Sequence, residues 1–171
     1  SEDRWNQAVK NILSVKYLLG MFDGRKPHEY PFNYIGDALH KDIARQAVRE
    51  SIVLLKNNNK TLPIQSDKHI LVIGNAANKI TKHMGGWTIT WQGRENNNDE
   101  FPNSLSIFDA IKLKAESNGS TIEFSDNALY SKKPDLVIFV FGEDPYAEGD
   151  GDRNNLFYQH QDKNFKNYMK E

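Results

Sequence analysis

Two short stretches hold most of the residue types in this sequence that could do chemistry. In the first, Gly85-Gly86-Trp87-Thr88-Ile89-Thr90-Trp91-Gln92-Gly93, two indoles stand four residues apart between glycines. Indole faces suit the C–H-rich faces of a pyranose ring, and Gln92 or a backbone group suits its hydroxyls. The same two indoles would also serve as core anchors. The second stretch, Gly142 to Arg153, carries five carboxylates within ten residues: Glu143, Asp144, Glu148, Asp150 and Asp152. A Glu crowded by carboxylates has a reason to keep its proton near neutral pH, the property of a general acid. A solvated acidic turn is the plainer reading of such a run.

Other chemistries find less support. The acidic run lacks the alternating oxygen ligands and closing Glu of a calcium loop. Gly74-Asn75-Ala76-Ala77 sits where a phosphate loop would, but neither GxGxxG nor GK[ST] is present. The histidines His28, His40, His69, His83 and His160 lie far apart, without metal-ligand spacing. There is no cysteine, which excludes disulfides, thiolate metal sites and cysteine nucleophiles. A net charge of −1 gives no basic excess that would point to nucleic acid or an anionic membrane. No apolar run approaches the roughly 20 residues that span a bilayer. Asn59-Lys60-Thr61 and Asn118-Gly119-Ser120 are sequons of a kind that arises easily in an Asn-rich chain.

The elements that must position these loops follow from apolar spacing. Residues 5–19 predict an amphipathic helix with Trp5, Val9, Ile12, Leu13 and Leu19 on its stripe and Gly20 as its stop. Residues 21–37 carry Gly24, Pro27, Pro31 and Gly36 among aromatics (Phe22, Tyr30, Phe32, Tyr34), which predicts an ordered linker. A second helix is expected over 40–57, along Ala44, Ala47, Val48, Ser51, Ile52 and Leu55. Ile70 to Ile73, ended by Gly74, and Leu136 to Phe141 are continuous apolar runs of the kind that forms buried parallel strands. Between them come a helix over 104–116, capped by Ser104 or Ser106, and a strand from Thr121 to Phe124. Strands alternating with helices predict an α/β fold with a mostly parallel sheet flanked by helices. In such sheets the loops leaving the C-terminal strand ends carry chemistry, which selects the two stretches above. With 38% apolar residues and mean hydropathy of −0.71, the 171-residue chain can build one modest core. Two or three strands make a poor doubly wound sheet, and the expectation is of a chain cut at both ends.

Five segments in order, AVKNILSVKYLLGMFD, ARQAVRESIVLLKNNNKTLPI, HILVIGNAA, GGWTITWQG and VFGEDPYAEGDGDRNNL, resemble glycoside hydrolase family 3, especially its β-glucosidase and exo-β-glucanase branch. The resemblance runs almost from the N-terminus to about Leu156. It implies that residues 1–20 are the last helix of a (β/α)₈ barrel otherwise missing, 21–40 an interdomain linker, and 41–171 an incomplete α/β sandwich. It also implies a retaining hydrolase acting on terminal β-D-glucosyl residues of a β-glucan or β-glucoside, with no redox cofactor and no metal. The family's nucleophile is an Asp on a barrel strand, and no Asp here matches it. What the resemblance assigns to this chain is the acid/base, Glu148, with Glu143 as second choice. Trp87 and Trp91 correspond to the aromatic walls of the sugar subsite, and Arg153 ties down the acidic loop. A periplasmic or secreted location goes with the resemblance. The alternative is a non-catalytic carbohydrate-binding fragment. Neither reading calls for nucleic acid or a membrane as partner.

Overall fold

A computed structural model of the chain describes residues 1–24 and 34–158. It divides into two compact units, Ser1–Lys56 and Asn57 onward. In the first unit, helix α1 (Glu2–Leu18) opens with Glu2 and Asp3 at the positive end of its dipole. It stops where Gly20 adopts φ 70° and Met21 N–H turns back to Lys16 O at 3.1 Å, as expected of that glycine. Helix α2 (Ala38–Ser51) is capped by Asp37, whose side chain accepts from His40 N–H at 3.0 Å. It ends before the expected residue 57. Ile52 is extended, and the β-branched pair Ile52-Val53 gives the chain a reason to leave the helix there. Neither helix buries a residue. Part of the expected linker, including Tyr30 and Phe32, lies outside the described residues. No helix of the described residues is long and apolar enough to cross a membrane.

The second unit is the predicted parallel sheet. Strands β1 (His69–Ile73), β2 (Thr121–Ser125) and β3 (Leu136–Phe139) lie in the order β2-β1-β3, all parallel. Ile70 is level with Ile122 on one side and with Leu136 on the other. The central strand is almost wholly buried, as its unbroken apolar run predicts. Ile70 and Val72 face one layer with Ala77 and Ala115, joined by Phe108, Ile122, Phe124 and Ile138. Leu71 and Ile73 face the other, against Phe139 and Ala128.

Helix α3 (Ile107–Glu116) starts three residues later than the expected 104, because Ser106 is the cap. Its hydroxyl accepts from Asp109 N–H at 3.0 Å while the Asp109 carboxylate accepts from Ser106 N–H at 3.3 Å, a reciprocal box. β3 ends at Phe139, two residues short of its apolar run. Beyond it Val140 N–H still bonds Ile73 O, but Val140 O turns to Ala76 N–H at 3.2 Å. The strand is left because β1 has also ended, at Gly74. Ser106→Ala removes a fully buried cap, so equilibrium urea unfolding is expected to show a loss of about 1–2 kcal/mol. A loss within 0.5 kcal/mol, roughly the scatter of surface substitutions, would contradict the role given to the box.

Candidate functional site

β1 is followed in sequence by β2 on one side and later by β3 on the other, so the direction in which the chain winds across the parallel sheet reverses between β1 and β3. Crevices at that point, beyond the carboxyl ends of the strands, are where open α/β sheets bind ligands. Both stretches singled out from the sequence leave from there. Gly74, at φ 104°, lets them leave side by side: a Cβ on it would overlap Val140 O. The Asn75 side chain then holds both backbone groups of Gly142, at 3.3 and 3.4 Å. Lys82, its side chain only 3% exposed, donates to Gly142 O at 3.1 Å and pairs with Asp144 at 2.6 Å.

The two loops are then joined through Gln92. Its Oε1 accepts from Ala147 N–H at 2.7 Å and its Nε2 donates to Glu148 O at 3.1 Å, so one buried amide fixes the backbone on both sides of the Ala147–Glu148 peptide. Gln92 is therefore spent inside the protein, and the expectation that it bonds sugar hydroxyls is corrected. Gly86 lets the loops touch, since a Cβ there would sit 2.5 Å from Tyr146 O. Asn96 closes the tryptophan loop by donating to Thr88 O and Gly93 O.

Trp87 and Trp91 project from this platform at 67% and 57% exposure, with ring centroids 6.1 Å apart and planes tilted by 39°. They are not core anchors. Trp87 and Ile89 hold left-handed backbone, at φ 64° and 58°, which for such side chains costs on the order of 1–3 kcal/mol. Both indole N–H groups donate to one oxygen of Glu148: Trp87 Nε1 lies 2.9 Å and Trp91 Nε1 3.1 Å from Oε2.

The acidic loop is not a cluster of repelling charges. Glu143 pairs with Arg153 at 3.1 Å and accepts from the Tyr146 hydroxyl, while the Arg153 guanidinium lies 4.5 Å above the Tyr146 ring. Asp144 is neutralised by Lys82, and Asp150 by Arg94. Glu148 is left with N–H donors instead of anions. Its own backbone N–H, then Trp91, then Trp87 hold its carboxyl below the usual glutamate range. The expectation of a proton retained through carboxylate crowding is thus corrected for this chain. A lowered carboxyl strengthens the clasp above its unfolded pKa, and that contribution fades as pH falls through the folded value. Among the described residues no group of His, Cys, Asp and Glu is arranged to hold a metal. Sequence reasoning misses Lys82 and Asn75 as residues of this site. A single lysine in Ile80-Thr81-Lys82-His83 reads as surface, and only the fold shows it buried.

The architecture is that of an α/β sandwich whose strand-end loops set a carboxylate between two indoles. Residues 52–171 match the glycosyl hydrolase family 3 C-terminal domain, and the chain belongs to that family. The solved exo-1,3/1,4-beta-glucanase from a Pseudoalteromonas species is 43% identical, with a TM-score of 0.73 over 96% of this chain and 21% of that one. A lysosomal beta glucosidase of Dictyostelium discoideum is 31% identical over 88% of this chain and 21% of its own length. A periplasmic beta-glucosidase of Salmonella typhimurium is 33% identical over 79% and 17% respectively. The chain thus spans about a fifth of the relatives it matches.

Gln92→Ala would leave Ala147 N–H and Glu148 O without their buried partner. A loss of about 1–3 kcal/mol is expected, with faster amide exchange confined to the two loops. Exchange that stays slow at Ala147 would show that Gln92 does not join them.

Proposed function

We propose that this chain is the part of a retaining β-glucosidase or exo-β-glucanase that supplies the acid/base loop and a tryptophan-lined sugar subsite, acting on terminal β-D-glucosyl residues. The observation that carries the reading is the convergence of Trp87, Trp91 and Glu148 at the sheet's reversal point, with the indoles exposed and the carboxylate between them. Glu148 is the acid/base. Glu143, tied to Arg153 and Tyr146, supports the loop. Trp91 stacks on the sugar beyond the scissile bond and Trp87 shapes the slot.

Retaining hydrolysis needs a second carboxyl roughly 5–5.5 Å from the first, to attack the anomeric carbon. In this reading that group belongs to a barrel domain, the partner of these loops, with residues 1–20 as its last helix, 21–40 as linker and 41–171 as sandwich. Covering Glu148 with a barrel removes water from it, which raises a carboxyl's pKa and offsets the indole donors. The same residue must be protonated in the first step and ionised in the second, so opposing influences of this kind suit it.

A non-catalytic carbohydrate-binding role is the second reading. It is favoured by the two indole N–H donors on Glu148 Oε2, which stabilise the ionised carboxylate, a form that accepts from sugar hydroxyls.

One chimera separates the two: this chain replacing the matching segment of the Pseudoalteromonas exo-glucanase. The 171-residue chain alone is expected not to turn over an aryl β-glucoside. In the chimera, Glu148→Gln is expected to lower turnover of glucosides with poor leaving groups by about 10²–10⁴-fold, while KM changes little. Turnover unaffected by Glu148→Gln, with sugar binding retained, would favour the binding role.

A further inference from the structure

The tryptophans meet Glu148 not only as neighbouring rings but as hydrogen-bond donors, and both donate to the same atom. Trp87 Nε1 and Trp91 Nε1 reach Oε2 at 2.9 and 3.1 Å. We propose that Trp87 and Trp91 are positioning residues for Glu148, their N–H groups pinning Oε2 so that the proton this carboxyl exchanges travels on Oε1. The proposal rests on the acid/base reading of Glu148.

A carboxylate oxygen has two lone pairs in its plane, and two N–H donors occupy both. A proton arriving at the carboxyl therefore binds Oε1 unless it first displaces an indole. In the first step the barrel carboxylate attacks the anomeric carbon and the C–O bond to the glycosidic oxygen breaks; that oxygen keeps the bonding pair and takes the proton released from Oε1. In the second, water attacks the anomeric carbon, its proton passes to Oε1, and the nucleophilic carboxylate leaves with the bonding pair. Oε2 stays anchored through both steps.

Other features of the site fit this division. Gln92 fixes the backbone at Ala147 and Glu148, so the indoles have only the side chain left to orient. Trp87 is held in left-handed backbone although it is mostly exposed and fills no core. The remaining charges of the two loops engage one another: Glu143 with Arg153, Asp144 with Lys82, Asp150 and Glu95 with Arg94. Tyr146 donates to Glu143, and His83 lies 3.4 Å from Ala76 O. Lys79 and Asp152 are the further charged residues on the two loops, and the ion pairs above engage partners other than the Glu148 carboxyl. The residue's own N–H, then Trp91 and Trp87, are what favour its ionised form.

The test is a carbon-13 titration of the Glu148 carboxyl in this chain and in its Trp87→Phe and Trp91→Phe variants. Each substitution keeps a ring and removes one donor to the charged form, so the midpoint should rise in each and further in the double variant. In the chimera the protonated form then persists to higher pH, so the alkaline limb of kcat/KM should move upward without a matching change in KM. An unmoved midpoint in both single variants, with β1 and β3 amide shifts retained, would overturn the proposal. If a phenylalanine disrupts the loop, replacing Trp87 by benzothienylalanine keeps the ring shape without the N–H. An unmoved midpoint there overturns the proposal equally. Should the midpoint rise while Glu148→Gln leaves turnover intact, the acid/base reading has failed: the pinning stands as a contact and the Oε1 proton route falls.

Discussion

The space left by the missing side chain of Gly74 is the constraint on which the rest depends. A Cβ at this position would overlap Val140 O and come within 2.8 Å of the Phe139 ring. Without it, β1 and β3 end beside each other, Ala76 N–H bonds Val140 O, and Asn75 reaches the backbone of Gly142. From that junction the chain emerges twice, once towards the tryptophans and once towards the carboxylates. Everything placed further out inherits its position from there: Lys82 under Gly142, Gln92 across the two loops, and the indoles on Glu148.

Charge is distributed with a definite logic over this junction. An acidic run invites the idea that its members raise one another's pKa. The fold answers with a cation for three of the five: Arg153 for Glu143, Lys82 for Asp144 and Arg94 for Asp150. Glu148, by contrast, is matched to neutral donors. That leaves it chemically distinct from its ion-paired neighbours on the same loop, a condition for one carboxyl among many to act individually.

The alternation of apolar runs and amphipathic stretches is enough to read the parallel sheet, α3 and the two strand-end loops from the sequence. The apolar runs of β1 and β3 are unambiguous because both faces of a parallel strand are covered. Boundaries are less legible: α2 stops at Ser51 although its apolar stripe continues, and β3 stops at Phe139 because its partner strand has already ended. At the site, the residue types that protrude, Trp87, Trp91 and Glu148, stand out by composition. Those that hold them do not. Gln92 looks like a sugar ligand and Lys82 like a surface lysine until the fold buries them, because hydrogen bonds between residues some 55–60 positions apart leave no local pattern.

Those separations bear on how the site comes into being. His69 pairs with Thr121 and Ile70 with Leu136, so the two strand pairings join positions 52 and 66 residues apart. The clasp itself links residues 61 and 57 apart. No stretch of sequence contains the site, and neither loop synthesised as a peptide would reproduce it. The entropy of closing such loops falls due before the contacts they bring can offset it, which makes a topology of this kind slow to assemble. The carboxylate and its two indoles are brought together across the pairing of β3 with β1, so the clasp holds only while that long-range pairing does.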